Sequence, residues 1–284
     1  MLNIRWAAIG PTALFVLLWS GGAIFSTWGL HYTSAFAFLL LRFALACGLL
    51  AVLAAWRRRW LPQPGSRWRV GVTGLLMIGG YTICYLLSLE HGLTPGVLAT
   101  LLGVQPILTL MLLERRATLW RWLGLLLALA GLATVVLDSL LAARFSPSGI
   151  GFALAALVCM TWGAIVQKGI EQAPLDVLPL QYALGLLCCL LLAPWQPLRI
   201  SFEWALLIPL LYMGVGISVL ATLLLYRLIR AGNLVNVTSL FYLVPGVTAV
   251  LDYLVFGNRL APLSLLGMGA ILLGLGLVFR SRPG

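Results

Sequence analysis

Two stretches decide the fold: Leu123 to Leu137, LGLLLALAGLATVVL, and Leu263 to Phe279, LSLLGMGAILLGLGLVF. Neither contains a charged residue. Neither alternates apolar with polar residues, as the strands of a lipid-exposed barrel do over roughly 9–11 residues each. Uninterrupted apolar runs of this length satisfy their backbone hydrogen bonds in lipid only as helices. The rest of the chain is written the same way. Of its 284 residues, 62% are hydrophobic and 9% charged, whereas a soluble globular chain has about 45–50% and about 25%. The 18 basic and 7 acidic side chains are too few to cover a water-facing exterior of this size. The composition excludes an ordinary soluble enzyme and calls for a body whose exterior faces lipid.

Working outward from those two runs, apolar spans fall at approximately 7–28, 34–56, 70–89, 94–113, 119–137, 148–168, 177–193, 205–226, 234–255 and 262–279. The chain therefore reads as an all-α polytopic membrane protein with ten transmembrane helices, short connections and no soluble domain. The seventh span is the shortest and is bounded by Pro179 and Pro194. The first, preceded by Arg5, is longer than a signal core and reads as a retained anchor. Cys47, Cys84, Cys159, Cys188 and Cys189 all fall within spans, without metal-ligand spacing, and read as small buried hydrophobes. Neither a metal nor a cofactor is expected.

The formal charge of +11 is explained by position. With a cytoplasmic N-terminus, the inner segments carry Arg5, Arg57, Arg58, Arg59, Arg67, Arg69, Arg115, Arg116, Arg121, Lys168, Arg227, Arg230, Arg280 and Arg282. The outer segments carry only Arg144, Arg199 and Arg259. This bias places both termini in the cytoplasm of a plasma membrane, most simply a bacterial inner membrane. The partner implied by the charge is the lipid bilayer and not nucleic acid.

The chain also repeats itself. Gln105-Pro106-Ile107-Leu108-Thr109 aligns with Val244-Pro245-Gly246-Val247-Thr248 at an offset of 139, and Arg116, Gly124 and Gly131 align with Arg259, Gly267 and Gly274 at an offset of 143. Gly22-Ala23-Ile24 matches Gly163-Ala164-Ile165 at an offset of 141. The expected units are residues 1–140 and 141–284, each with five spans. An odd span number makes the second copy enter the membrane from the other side, so the two are inverted repeats, an arrangement suited to alternating access.

In these features the sequence resembles the drug/metabolite transporter superfamily, in particular its EamA-type ten-helix members. The residues that carry the resemblance are Leu18-Trp19-Ser20-Gly21-Gly22, Leu41-Arg42-Phe43, and the proline-bearing span near the end of each half, followed by Gly124 and Gly131 or Gly267 and Gly274. The resemblance implies two inverted five-helix bundles around a central cavity, lined chiefly by the first four spans of each half. It also implies export or exchange of small metabolites, amino acids among them, without nucleotide hydrolysis, and some such relatives export aromatic amino acids. The family's Gly-Glu pair after the proline-bearing span is altered here. Glu114 lacks the glycine, and the second half reads Gly257-Asn258-Arg259. Gln181 stands where the second half would echo Arg42.

The polar residues inside spans are the candidates for function. Arg42 is the only basic residue well inside one, a position normally facing the bundle interior or water. It suits a substrate carboxylate, a switching salt bridge, or a static structural pair. Asp252 is its acidic counterpart, suited to pairing with Arg42, to coupling, or simply to the aqueous surface. Pro106 and Pro245 free a backbone carbonyl about one turn earlier and are candidates for gating. Thr100, Gln105, Asn236 and Ser239 nearby make a polar cavity. Trp19, Tyr81, Tyr85, Trp162 and Tyr242 offer aromatic faces, with helix packing as the alternative role. The expected function is a secondary transporter of a small organic solute, with aromatic or apolar amino acids favoured. Cationic drugs, sugars and nucleotide-linked metabolites are alternative cargoes, and a noncatalytic membrane scaffold the alternative class. No clustered nucleophile or carboxylate pair points to an enzyme. The sequence fits a homo-oligomer and a monomer alike.

Overall fold

The computed structural model describes residues 2–114, 116–141, 146–256 and 261–281; the side chains of residues 2–9, 23, 138, 139, 252, 255 and 256 are outside the description. Ten apolar helices cross the bundle among these residues. They are α1 (Gly10–Tyr32), α2 (Ala35–Arg57), α3 (Pro64–Glu90), α4 (Pro95–Leu113), α5 (Leu119–Val135), α6 (Pro147–Lys168), α7 (Pro174–Trp195), α8 (Trp204–Ala231), α9 (Leu234–Leu251, running on as helix to Phe256) and α10 (Pro262–Arg280). Nine are long enough to span a membrane by length and composition, and α5, with 17 residues, is the short one. α5 stops at Val136, and a further turn of helix, Leu137–Leu141, follows. The seventh helix is longer than its prolines suggested. Pro174 occupies its first turn, where no intrahelical donor is needed, and Pro179 is absorbed inside it.

Three helix starts follow from side-chain caps. Thr94, Ser146 and Asn233 each accept a backbone N–H three residues ahead, the usual N-cap geometry. Other features come in matched pairs. α3 widens to a π-helical stretch at Gly74–Gly80, and α8 does so at Tyr212–Ala221. α4 breaks between Leu102 and Gln105, just before Pro106, and α9 passes through a tight turn at Leu240–Tyr242, just before Pro245.

The packing has the same pairing. α3 lies on α6 as α8 lies on α1, and α3 on α7 as α8 on α2; α2 packs on α7, and α5 on α10. The last contact shows that the halves are inverted. A Cβ on Gly124 would come within 2.7 Å of the Gly274 carbonyl oxygen, and one on Gly131 within 2.6 Å of that of Gly267. Contact partners that run in opposite order along the two helices mean that α5 and α10 are antiparallel. The aligned partner of Gly124 is Gly267, so each contact maps onto the other when the halves are exchanged. The small-residue stripes are therefore an intramolecular seam of the kind that lets backbones touch.

Loops hold the halves together at both faces. At the face away from the chain ends, Thr33 and Ile200 form an antiparallel bridge, and the Ser34 N–H donates to the Arg199 carbonyl at 2.9 Å. At the terminal face, the Gln63 N–H donates to Gln172 Oε1 at 2.9 Å, and Asp176 accepts Arg57 at 2.8 Å and Arg59 at 3.4 Å.

This seam makes a discriminating prediction. Gly131→Ala or Gly274→Ala puts a methyl against backbone with no room to give, and costs about 1–3 kcal/mol. Gly269→Ala meets nothing within 4 Å and is expected to be neutral. Thermal unfolding of the three variants in one detergent checks this; equal midpoints would refute the seam.

Candidate functional site

A cavity of about 410 Å³ lies between the halves, of the size typical for a small organic ligand. α1 to α4 and α6 to α9 line it; α5 adds only Val135 and Val136, and α10 adds nothing. It runs from mid-bundle toward the face away from the chain ends, where Pro95 begins α4 and Val136 follows the last residue of α5. At the terminal side it stops short. Even Tyr226, its lining residue nearest that end of α8, is more than one turn from Ala231.

The breaks in the helices are what shape this space. The π-helical stretches supply Met77, Ile78, Met213 and Ile217, and the interruptions of α4 and α9 supply Leu102, Gly103, Gln105, Phe241, Val244 and Pro245. Irregular backbone at membrane depth is tolerated where it borders protein or a cavity.

Arg42 reaches the cavity from α2. Its Nε donates to Ser218 Oγ at 2.7 Å, and Ser218 in turn donates to the Met213 carbonyl at 2.9 Å. Ser218 lies in the π-helical stretch of α8, and its bond reaches back five residues instead of the usual four. The serine thus fixes the inner edge of the guanidinium. The Arg42 guanidinium carbon lies 5.8 Å from the Phe43 ring centre. No ion pair joins Arg42 to a described carboxylate; the described ion pairs involve Asp176 and Glu114. Beside it, Tyr182 Oη is 3.3 Å from Thr222 Oγ1, and both residues face the cavity. Two further polar groups in the lining, Tyr226 Oη and Gln105 Nε2, are buried without a hydrogen-bond partner among the described residues.

The rest of the wall is mostly aliphatic, from residues such as Ile78, Leu86, Ile217 and Leu225, together with aromatic and thioether groups. Trp19 packs against Phe241 edge-on at 5.3 Å, and Tyr81 against Tyr85 at 5.8 Å. Met77, Met160 and Met213 complete it. The arrangement offers a cation whose fork meets no described carboxylate, in a chamber that is mostly apolar and aromatic. Among the described residues, no three His, Cys, Asp or Glu side chains gather at one point.

The cavity brings together Trp19, Arg42, Tyr81, Tyr85, Gln105 and Pro245 from the sequence candidates. Others lie elsewhere. Trp162 is 48% exposed and falls in line with the exposed Leu154 and Val158, the outward stripe of α6, while Gly163 on the inner face packs on Met77. The repeat offset of 141 pairs Trp19 with Met160, which does line the cavity. Tyr242 is fully buried in a separate cluster with Leu110, Leu125 and Ile271. Asn236 accepts from Arg121, and Ser239 donates to the Asn236 carbonyl. Thr100 donates to the Gly96 carbonyl, and neither it nor Pro106 borders the cavity. The side chain of Asp252 lies outside the described residues.

Sequence reasoning missed Tyr182, Ser218, Thr222 and Tyr226. One signal was available for Tyr182. At the offset of 139 it is the mate of Phe43, and the two rings meet edge-on at 5.7 Å.

Comparison with known proteins agrees with this architecture. A solved structure, described only as the crystal structure of a protein, superposes with a TM-score of 0.78 over 95% of this chain and 96% of that one, at 19% sequence identity. It shares the fold. No curated protein matches the sequence. The model of the EamA-like transporter family matches twice, over residues 7–137 and 147–280. The two matches follow the two inverted halves and together cover most of the chain, which belongs to the EamA-like transporter family.

Proposed function

We propose that this membrane transporter moves small organic solutes that join a carboxylate to an aromatic or apolar body, amino acids of that kind foremost, by alternating access and without nucleotide hydrolysis. The observation that carries the reading is Arg42, which is held at Nε by Ser218 and faces the cavity without an acidic partner among the described residues. A guanidinium with its fork free matches a carboxylate bidentately, and desolvation makes that attraction stronger than in water. Trp19, Tyr81, Tyr85 and Phe241 supply faces on which a ring or an aliphatic side chain can lie.

The family and the apolar helices establish a multi-pass membrane protein. The finer reading is a bacterial plasma membrane with both ends in the cytoplasm, supported by the arginines that crowd the terminal side. In that orientation the cavity faces outward, as an exporter does after release. The residue units 1–140 and 141–284 are the two halves that exchange roles.

Solute counterflow in proteoliposomes without ATP tests the proposal. Saturable exchange of aromatic or apolar amino acids is expected. Arg42→Ala is expected to cut it at least about tenfold, the loss of one charge-assisted hydrogen-bonded contact. Retained exchange in folded Arg42→Ala would remove the carboxylate site.

The positions around Arg42 sharpen the test. Ser218→Ala is expected to raise the half-saturating solute concentration a few-fold while Ser218→Thr restores it, since the hydroxyl orients the guanidinium. Trp162→Ala, on the outside, is expected to leave exchange unchanged. If Trp162→Ala were as damaging as Trp19→Ala, the aromatic effect would not belong to the cavity.

A further inference from the structure

Arg121 presents a problem of its own. It begins α5 at the terminal face, its side chain is 0% exposed, and Arg42 already provides the cavity's cation. Its Nη2 lies 2.9 Å from Glu114 Oε1 and donates to Asn233 Oδ1 and Asn236 Oδ1, both at 3.1 Å; its Nη1 donates to the Ser281 carbonyl at 3.3 Å. Asn233 also donates to Glu114 Oε1 at 3.0 Å. Glu114 and Arg121 belong to the first half; Asn233, Asn236 and Ser281 belong to the second. Arg121 Nε and Glu114 Oε2 make no hydrogen bond to a described residue. A buried pair with unmet groups adds little net stability over an apolar substitute, so stability is a poor account of it.

Its place in the fold gives a better one. The network sits at the end where the cavity is closed, beside the contact of the α4 segment Gln105–Leu113 with the α9 segment Leu234–Ser239. At the other end, α4 packs on α6 and α9 on α1, with the cavity between them. Exchange of the halves maps Asn233 and Asn236 onto Thr94 and Val97 at the offset of 139, and Arg121 onto Ser264 at 143. The N-caps confirm the mapping, since Thr94 caps α4 as Asn233 caps α9. A serine and a valine cannot rebuild the arginine network on that side. The loop ties differ too: a backbone bridge between Thr33 and Ile200 on one face, Gln172 and the Asp176 ion pairs on the other. The two closures are therefore unequal in chemistry.

We propose that the Arg121–Glu114–Asn233–Asn236 network is a one-sided latch that holds the terminal-face gate shut between α4 and α9 and makes the state open to the opposite face the resting state. Opening to the terminal side separates α9 from α4 and α5 and breaks the network, so Arg121 is a gating residue of the transport cycle. This rests on the alternating-access reading above.

The test uses spin-label distances in lipid nanodiscs, in a cysteine-free full-length chain, without added solute. One pair, at Leu113 and Ala231, reports the terminal face; a second, at His91 and Leu254, reports the opposite face. In Glu114→Gln and Arg121→Met the share of molecules with the terminal pair separated is expected to rise about tenfold, the worth of one charge-assisted contact. The opposite pair is expected to close in the same molecules. The exchanged variant E114R/R121E is expected to return toward the parent distribution, and Glu114→Gln carries the test if Arg121→Met does not fold. Unchanged distances, or separation at the terminal face without closure at the other, would overturn the latch. Failure of the transport reading looks different: the distances shift, yet the parent protein shows no counterflow of any solute.

Discussion

Lipid supplies no hydrogen bonds, and that single constraint orders this structure. Each crossing segment must be helical, and each departure from regular helix must be sheltered by protein or border an internal space. The departures here are the widened stretches of α3 and α8 and the interruptions of α4 and α9. All four surround the cavity. The interior chamber and the imperfect helices are one feature: the chain can break its helices only there, and the breaks give the wall its shape and polar groups.

The second organising fact is an exchange symmetry that holds for the scaffold and fails for the chemistry. Helix packing, N-caps, π-helical stretches and the glycine seam obey it. Arg42 against Gln181 and Arg121 against Ser264 do not. Gln181 is buried and donates to Gln167 at 3.1 Å, closing on the second half instead of facing solute. Geometry shared by both halves makes two-sided access natural, and the unmatched polar residues are where the proposed cargo site and the proposed latch lie.

Most of the fold was legible in the sequence because apolar runs, prolines and paired glycines each have a direct backbone consequence. Ten spans, their inversion and the α5–α10 stripes followed from such marks. The cavity was legible only in part. Arg42 stood out as a charge where charges are costly, and Tyr81 with Tyr85 as a helical pair. Trp162 misled because residue type says nothing about facing, whereas the stripe Leu154, Val158 and Trp162 does. Ser218 and Thr222 were hidden by the π-helical stretch, which rotates a helix face away from its ordinary period. Arg121 was read as one more orienting charge, since the partners that tie it to the other half, Asn233 and Asn236, lie more than a hundred residues away.

The covalent join between the halves has a consequence for charge. Two identical five-helix chains assembled by the same exchange operation would bring every cavity residue in duplicate. An arginine at position 42 would come with a twin at the place of Gln181, and two guanidinium groups in one desolvated chamber would repel each other or demand two anions. Tethering the halves into one chain releases each from the other's inventory. A lone cation can then stand off the axis, leaving room for the single carboxylate proposed as cargo, while the frame around it keeps its two-sided geometry.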